Sequence, residues 1–163
     1  MKKIMLVFVA LIISCSSKPE KIPLNEISED LKWAADETAK NIIEFCNNEK
    51  ALDEFNLRSS TKSKLQKGAG KYLLTCILYS TEVTDIQLGN LYRVNKLKGN
   101  IKRFKYKLDI ASVNYDIMEL HLDLNSNKFI ANYTIHGKQK DGKWVSVLDK
   151  LELEARKFMK NLN

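Results

Sequence analysis

Two histidines, a carboxylate and a hydroxyl recur at a spacing of two: Glu119 and His121 in one run, Thr134 and His136 in the next. That spacing puts the members of each run on one face of a strand. If the two runs pair, all four side chains share a sheet face. Imidazoles with a carboxylate are ligand types for zinc, and they are equally the parts of a general base and its orienting acid. The pairing that brings the apolar faces into coincidence sets His136 across from Ile117 and diagonal to Glu119. The two histidines are then not direct neighbours, and the group lies on the face turned away from the apolar one. A polar face open to water is the expectation there. Glu119, His121 and His136 are the only metal candidates, and neither a metal nor another cofactor is expected. The sequence has no Gly-rich phosphate loop, no HExxH, no GxSxG and no CxxC.

A second constellation is basic. No acidic residue occurs from Ile86 to Leu108, while Arg93, Lys96, Lys98, Lys102, Arg103, Lys105 and Lys107 crowd one hairpin. Strand alternation aims Arg93, Arg103, Lys105 and Lys107 outward and gathers Lys96, Lys98 and Lys102 near the tip. Tyr92, Phe104 and Tyr106 then point into the core. Such a field attracts phosphates or sulfated glycans. The same lysines would also serve simply to keep a sheet edge soluble. Trp33, Phe45, Tyr72, Tyr79 and Trp144 are either core or the lining of a pocket between helices and sheet.

The elements that must position these residues are legible as two periods. Leu31, Ala35, Thr38, Ile42 and Phe45 recur at three and four, which predicts an amphipathic helix over 27–46 with Ser28 at its N-cap. A short helix carrying Ala51, Leu52 and Phe55 follows. Leu65, Ala69, Tyr72, Cys76 and Tyr79 continue helical spacing, although the apolar run from Tyr72 to Tyr79 also suits a buried strand. After Thr81 the period becomes two. Phe104, Tyr106, Leu108 and Ile110 alternate with polar residues, as do Met118 to Leu124 and Phe129 to Ile135. With Tyr92 and Val94 these make a four-stranded antiparallel meander. Matching apolar faces pairs Leu108 with Leu120 and Leu120 with Tyr133, and sets Lys105 by Asp123, Lys107 by His121 and Asp109 by Glu119. Trp144 to Leu148 returns the chain to the sheet, and Asp149 with Glu152 reads as the capping box of a closing helix.

The first fifteen residues carry Lys2 and Lys3, then the apolar run Ile4 to Ile13, then Ser14 and Cys15. That run is about half the ~20 residues a membrane span requires, and the layout is that of an export signal. With Cys after the small residue, it resembles the lipobox of bacterial lipoproteins. The resemblance implies cleavage after residue 14 and palmitate-type acylation of Cys15. Pro19 and Pro23, with no apolar periodicity around them, predict a flexible tether over 15–26, and the remaining length suits a single domain over 27–163. The chain carries +7, and loss of Lys2 and Lys3 takes it to +5. The resemblance also implies a cell-envelope location, with the outer membrane favoured because Ser16 and Ser17 lack the retention Asp of enteric inner-membrane lipoproteins. Nucleic acid is not an expected partner there. With Cys15 assigned to lipid, Cys46 and Cys76 remain for a disulfide in an oxidising compartment. A catalytic thiol is the alternative, though neither has a nearby His.

Helices followed by an antiparallel meander ending at Asp141-Gly142-Lys143-Trp144 resemble small NTF2-like or cystatin-like α+β domains. Such domains form a pocket between helix and sheet, used for catalysis by some members and for binding by others, so no activity carries over. The expected fold is α+β: N-terminal helices on a four- to five-stranded antiparallel meander, with a C-terminal helix. The expected function is a membrane-anchored binding module for an anionic lipid, glycan or protein partner. The alternatives are a metal-dependent or hydrolase-like enzyme on the Glu119, His121 and His136 face, or a purely structural lipoprotein.

Overall fold

The computed structural model describes residues 19–59 and 62–160. The expected signal segment and Cys15 lie outside the described residues.

Helix α1 (Glu29–Glu44) buries Leu31, Ala35, Thr38, Ile42 and Ile43 at the expected spacing. Ser28 stands at the N-cap without a side-chain capping bond. Its carbonyl accepts from the Leu31 and Lys32 amides instead, and Glu29 and Asp30 place negative charge at the positive end of the helix. Thr38 is tolerated in the core because its hydroxyl donates to the Ala34 carbonyl at 2.7 Å. Asn48 caps α2 (Glu49–Arg58), accepting from the Ala51 amide at 3.3 Å. The ambiguous run from Tyr72 to Tyr79 is helical, within α3 (Lys62–Thr81). Cys46 and Cys76 are disulfide-bonded with Cα atoms 5.4 Å apart, which ties the end of α1 to α3. By loop-closure entropy a link across 30 residues stabilises by roughly 3–4 kcal/mol.

The sheet is antiparallel in the order β1-β2-β3-β4-β5-β6, so six strands replace the expected four or five. The two additions are β1 (Glu20–Ile22) and β6 (Trp144–Ser146), each three residues long and too short to show a period. β1 corrects the expected tether: Glu20 pairs with Lys96 and Ile22 with Val94, and a 3-10 turn follows at Leu24–Glu26. β2 (Val83–Lys96) is far longer than Tyr92 and Val94 suggest. Register shifts at Thr84/Gln87, Leu88/Leu91 and Leu91/Arg93 break its alternation, and each such bulge hides a strand from a period-two reading. β3 (Ile101–Ser112), β4 (Tyr115–Asn125) and β5 (Ile130–Gln139) form the expected meander.

One face of that meander builds the core. Phe104, Met118, Leu120, Leu122, Leu124 and Ile135 are fully buried, each contributing about 1.5–3 kcal/mol by transfer from water. Phe45 of α1 meets Phe55, Tyr72 and Tyr133 edge-on at 5.2, 4.9 and 6.5 Å between centroids. The buried Tyr106 keeps a polar partner, its hydroxyl donating to Asp36 of α1 at 2.8 Å. Gly137 is required where it stands, since a Cβ there would come within 2.5 Å of the Tyr115 ring. Helix α4 (Val147–Lys160) starts two residues early, so Asp149 lies inside its first turn and the Asp149/Glu152 capping box does not form. Its stripe is covered through Leu151, beyond which Ala155 and Phe158 are exposed. No described helix is long and apolar enough to cross a membrane.

Candidate functional site

The opposite face of the meander is a polar lattice of three rows. Lys107, Glu119 and His136 align across β3, β4 and β5; so do Lys105, His121 and Thr134; so do Arg103, Asp123 and Asn132. Each pairing lies two residues from the expected register. Asp123 meets Arg103, not Lys105; His121 meets Lys105, not Lys107; Glu119 meets Lys107, not Asp109; and His136 stands across from Glu119, not Ile117. A slip of two leaves every side chain on its own face, so coincidence of apolar faces does not distinguish the two registers.

The slip changes the chemistry. Arg103 donates to Asp123 through Nε at 2.7 Å and a terminal nitrogen at 2.8 Å, a two-point pair over a buried carboxylate. Two stabilising bonds hold Arg103 in its charged form against partial burial. Arg93 and Lys107 are exposed and Lys105 half-buried, and none of the three has a carboxylate within salt-bridge distance among the described residues. Tyr92 corrects another expectation. The bulge between Leu91 and Arg93 turns its ring onto the polar face, where it lies 6.0 Å from the Lys107 Nζ and beside the Glu119 carboxylate.

The histidines meet after all. The rings of His121 and His136 stack at 4.2 Å between centroids and 30° between planes, and His121 Nε2 lies 3.0 Å from Glu119 Oε2. The face is not wet at its centre, since His121 and Asp123 are 7% and 5% exposed, screened by the long side chains around them. Burial drives the His121 imidazole down from 6.5 to about 4, against the favourable bond to Glu119 and helped by the charges of His136 and Lys105. Burial also lowers His136, with Lys105 and Arg103 acting in the same direction. Burial alone would raise Glu119, but the His121 and Tyr92 bonds and the Lys105 charge outweigh it and hold the carboxyl low. At neutral pH both rings are therefore uncharged and Glu119 is ionised.

A neutral His121 donating from Nε2 leaves Nδ1 as the basic atom, and Nδ1 is buried without a hydrogen-bond partner. As arranged, the Glu119–His121 pair has the contact of a base and its orienting acid but offers no basic nitrogen to a substrate. Imidazole lone pairs lie in the ring plane, so stacked rings do not converge on one ion. Among the described residues no group of three His, Cys, Asp or Glu side chains is placed to hold a metal.

Of the five aromatic residues, Phe45 and Tyr72 pack edge-on, but the two tryptophans do not join them. Phe45 is core and Tyr79 donates to the Ile42 carbonyl at 3.4 Å, while Trp33 and Trp144 are 59% and 48% exposed. Trp33 borders a polar groove of about 350 Å³ between α1 and α2, with Arg58 5.7 Å over its ring. A hollow of about 520 Å³ lies where Ile43 and Tyr79 meet Val83 and Ile86. Sequence reasoning missed Tyr92 and Ser146 as members of the polar lattice, and it set Asp123 there beside Lys105 where Arg103 is the partner; Ser146 reaches Thr134 at 3.2 Å from β6. The chain matches no protein-family model, no curated protein and no solved structure.

Proposed function

We propose that the chain is a lipid-anchored cell-envelope protein that binds anionic glycans through the outer face of β2 and β3. The carrying observation is that Arg93, Lys105 and Lys107 stand on one face with no salt-bridged carboxylate among the described residues. Rigid strands fix their spacing, and a sulfate or phosphate group exchanges water for them without reordering the backbone. Arg103 serves the face indirectly, by neutralising Asp123. Cys15 is the lipid-bearing residue in this reading, supported by the Lys2-Lys3, apolar-run and Ser14-Cys15 sequence. The likeness to NTF2-like or cystatin-like domains rests on element order and on the Asp141-Gly142-Lys143-Trp144 turn.

The test is retention on an immobilised sulfated glycan across a salt series. Binding should fall steeply as salt rises, because exposed charges are screened beyond about 8–10 Å near physiological ionic strength. Changing Arg93, Lys105 and Lys107 together to Gln should abolish it. Retention indifferent to salt and to the triple change would return the hairpin to a solubilising role. Zinc retained by purified protein and lost in His121→Ala would favour the enzyme reading instead.

A further inference from the structure

The basic hairpin has a tip as well as a face, and the two are different surfaces. The tip, Leu97 to Asn100, is closed by the Leu97 amide donating to the Ile101 carbonyl at 2.9 Å, with Gly99 in the left-handed region its turn requires. Lys96 and Lys102 pair at its base. Antiparallel pairing brings two other features to the same end of the sheet. Ile101 pairs with Asn125, so the β4–β5 turn with Lys128 and Phe129 lies alongside. Glu20 pairs with Lys96, and the Asn95 side-chain amide donates to the Pro19 carbonyl at 3.3 Å. The described chain therefore enters the sheet at the basic tip.

We propose that this end of the sheet is a membrane-contacting surface that takes the anionic headgroups of the bilayer holding the chain. The inference rests on Cys15 as the lipid-bearing residue. Cys15 lies four residues before Pro19, and an extended chain covers at most about 3.3–3.6 Å per residue, so the entry point is held within ~14 Å of the anchor. That is comparable with the screening length, so charges at this end feel the surface potential while charges at the far end do not. The charge is of the right sign. Lys96 is partly offset by Glu20 at 3.7 Å and Lys128 by Asp30, whereas Lys98 and Lys102 make no ion pair among the described residues. Leu97 and Phe129 supply partly exposed apolar surface between the lysines. The opposite end presents Glu82, Asp85, Asp116 and Asp141 and has no such excess. The lipid supplies attachment, and the tip sets orientation, turning the long axis of the sheet away from the bilayer.

The test uses the full chain, purified from membranes and reconstituted into vesicles of phosphatidylcholine with or without phosphatidylglycerol. A fluorophore is placed at Asn100→Cys or, at the opposite end, at Val113→Cys, both exposed turn positions. Quenching by headgroup-labelled lipid is then compared. In phosphatidylglycerol vesicles the Asn100 probe should be quenched several-fold more than the Val113 probe. Lys98→Gln with Lys102→Gln should remove most of that preference, since each cation near an anionic surface weights the contacting orientation about fivefold. The mass of the N-terminal peptide reports the lipid separately. Lipidated chain with equal quenching at both probes overturns the surface and leaves the anchor standing; chain without lipid on Cys15 overturns both.

Discussion

The two faces of one sheet solve opposite problems with the same backbone. On the inner face Phe104, Met118, Leu120 and Leu122 are sealed by helices, and any side chain of the right size and polarity suffices there. On the outer face Arg103, His121, Asp123 and His136 bury one another, and each needs a particular neighbour. The inner face is therefore tolerant of register and the outer face is not. A shift of two residues would leave the core nearly as apolar, yet it would separate Arg103 from Asp123 and unstack the histidines. The outer face specifies the register that the inner one only permits.

The largest expected effect lies on the inner face. Phe104→Ala, at a fully buried position, should cost about 3–5 kcal/mol through lost burial and a residual cavity, measured by denaturant unfolding. A cost under about 1 kcal/mol would mean that the core does not depend on that face. Next comes the ion pair. Arg103→Met strands Asp123 and should cost about 2–3 kcal/mol, less than the ~3–5 of a fully buried pair because Arg103 still reaches solvent. Adding Asp123→Leu should recover most of that loss, since the penalty is the unpaired carboxylate. Failure of the double change to recover it would make the pair a packing element and weaken its claim on register.

Acid should act on the outer face alone. His121 and His136 bind protons less readily in the folded chain than in the unfolded one. Their stabilising contribution is complete above about pH 6.5 and is lost as pH falls towards about 4, the value for His121. Protonation would charge two stacked rings beside Lys105 and Arg103, with Glu119 and Asp149 the opposing charges acting on His136 among the described residues. Glu119, also held low, adds a loss in the same direction at lower pH. His121→Phe should flatten the dependence between pH 6.5 and 4; an unchanged slope would exclude the stack as its source. The smallest stability effect is expected for Arg93→Gln and Lys107→Gln, each within about 0.5 kcal/mol as exposed substitutions usually are.

The same contrast explains what the sequence could disclose. Phe104 to Ile110, Met118 to Leu124 and Phe129 to Ile135 alternate cleanly because one face must be apolar, so those strands and the α+β class were legible. The repeat in α1 and the even pair Cys46 and Cys76 were legible for equally general reasons. β1 and β6 were not, because three residues carry no period. Most of β2 was not, because its bulges shift the alternation, and the bulge at Tyr92 moves that ring from the expected core to the polar lattice. The candidate site was visible as residue types but not as an arrangement. Glu119, His121 and His136 were identifiable, whereas the stacking of the rings and the burial of His121 depend on a register that apolar patterning does not encode.

In the proposed function the outer face is the interaction surface and the inner face is scaffold. A titration of isotope-labelled protein with a sulfated oligosaccharide, followed by amide chemical shifts at low and raised salt, tests it most directly. Saturable shifts are expected, centred on Arg93, Lys105 and Lys107, extending to His121 and His136, and fading as salt screens the charges. Shifts centred on the α1–α2 groove by Trp33 or along α4, with the β2–β3 face silent, would contradict it.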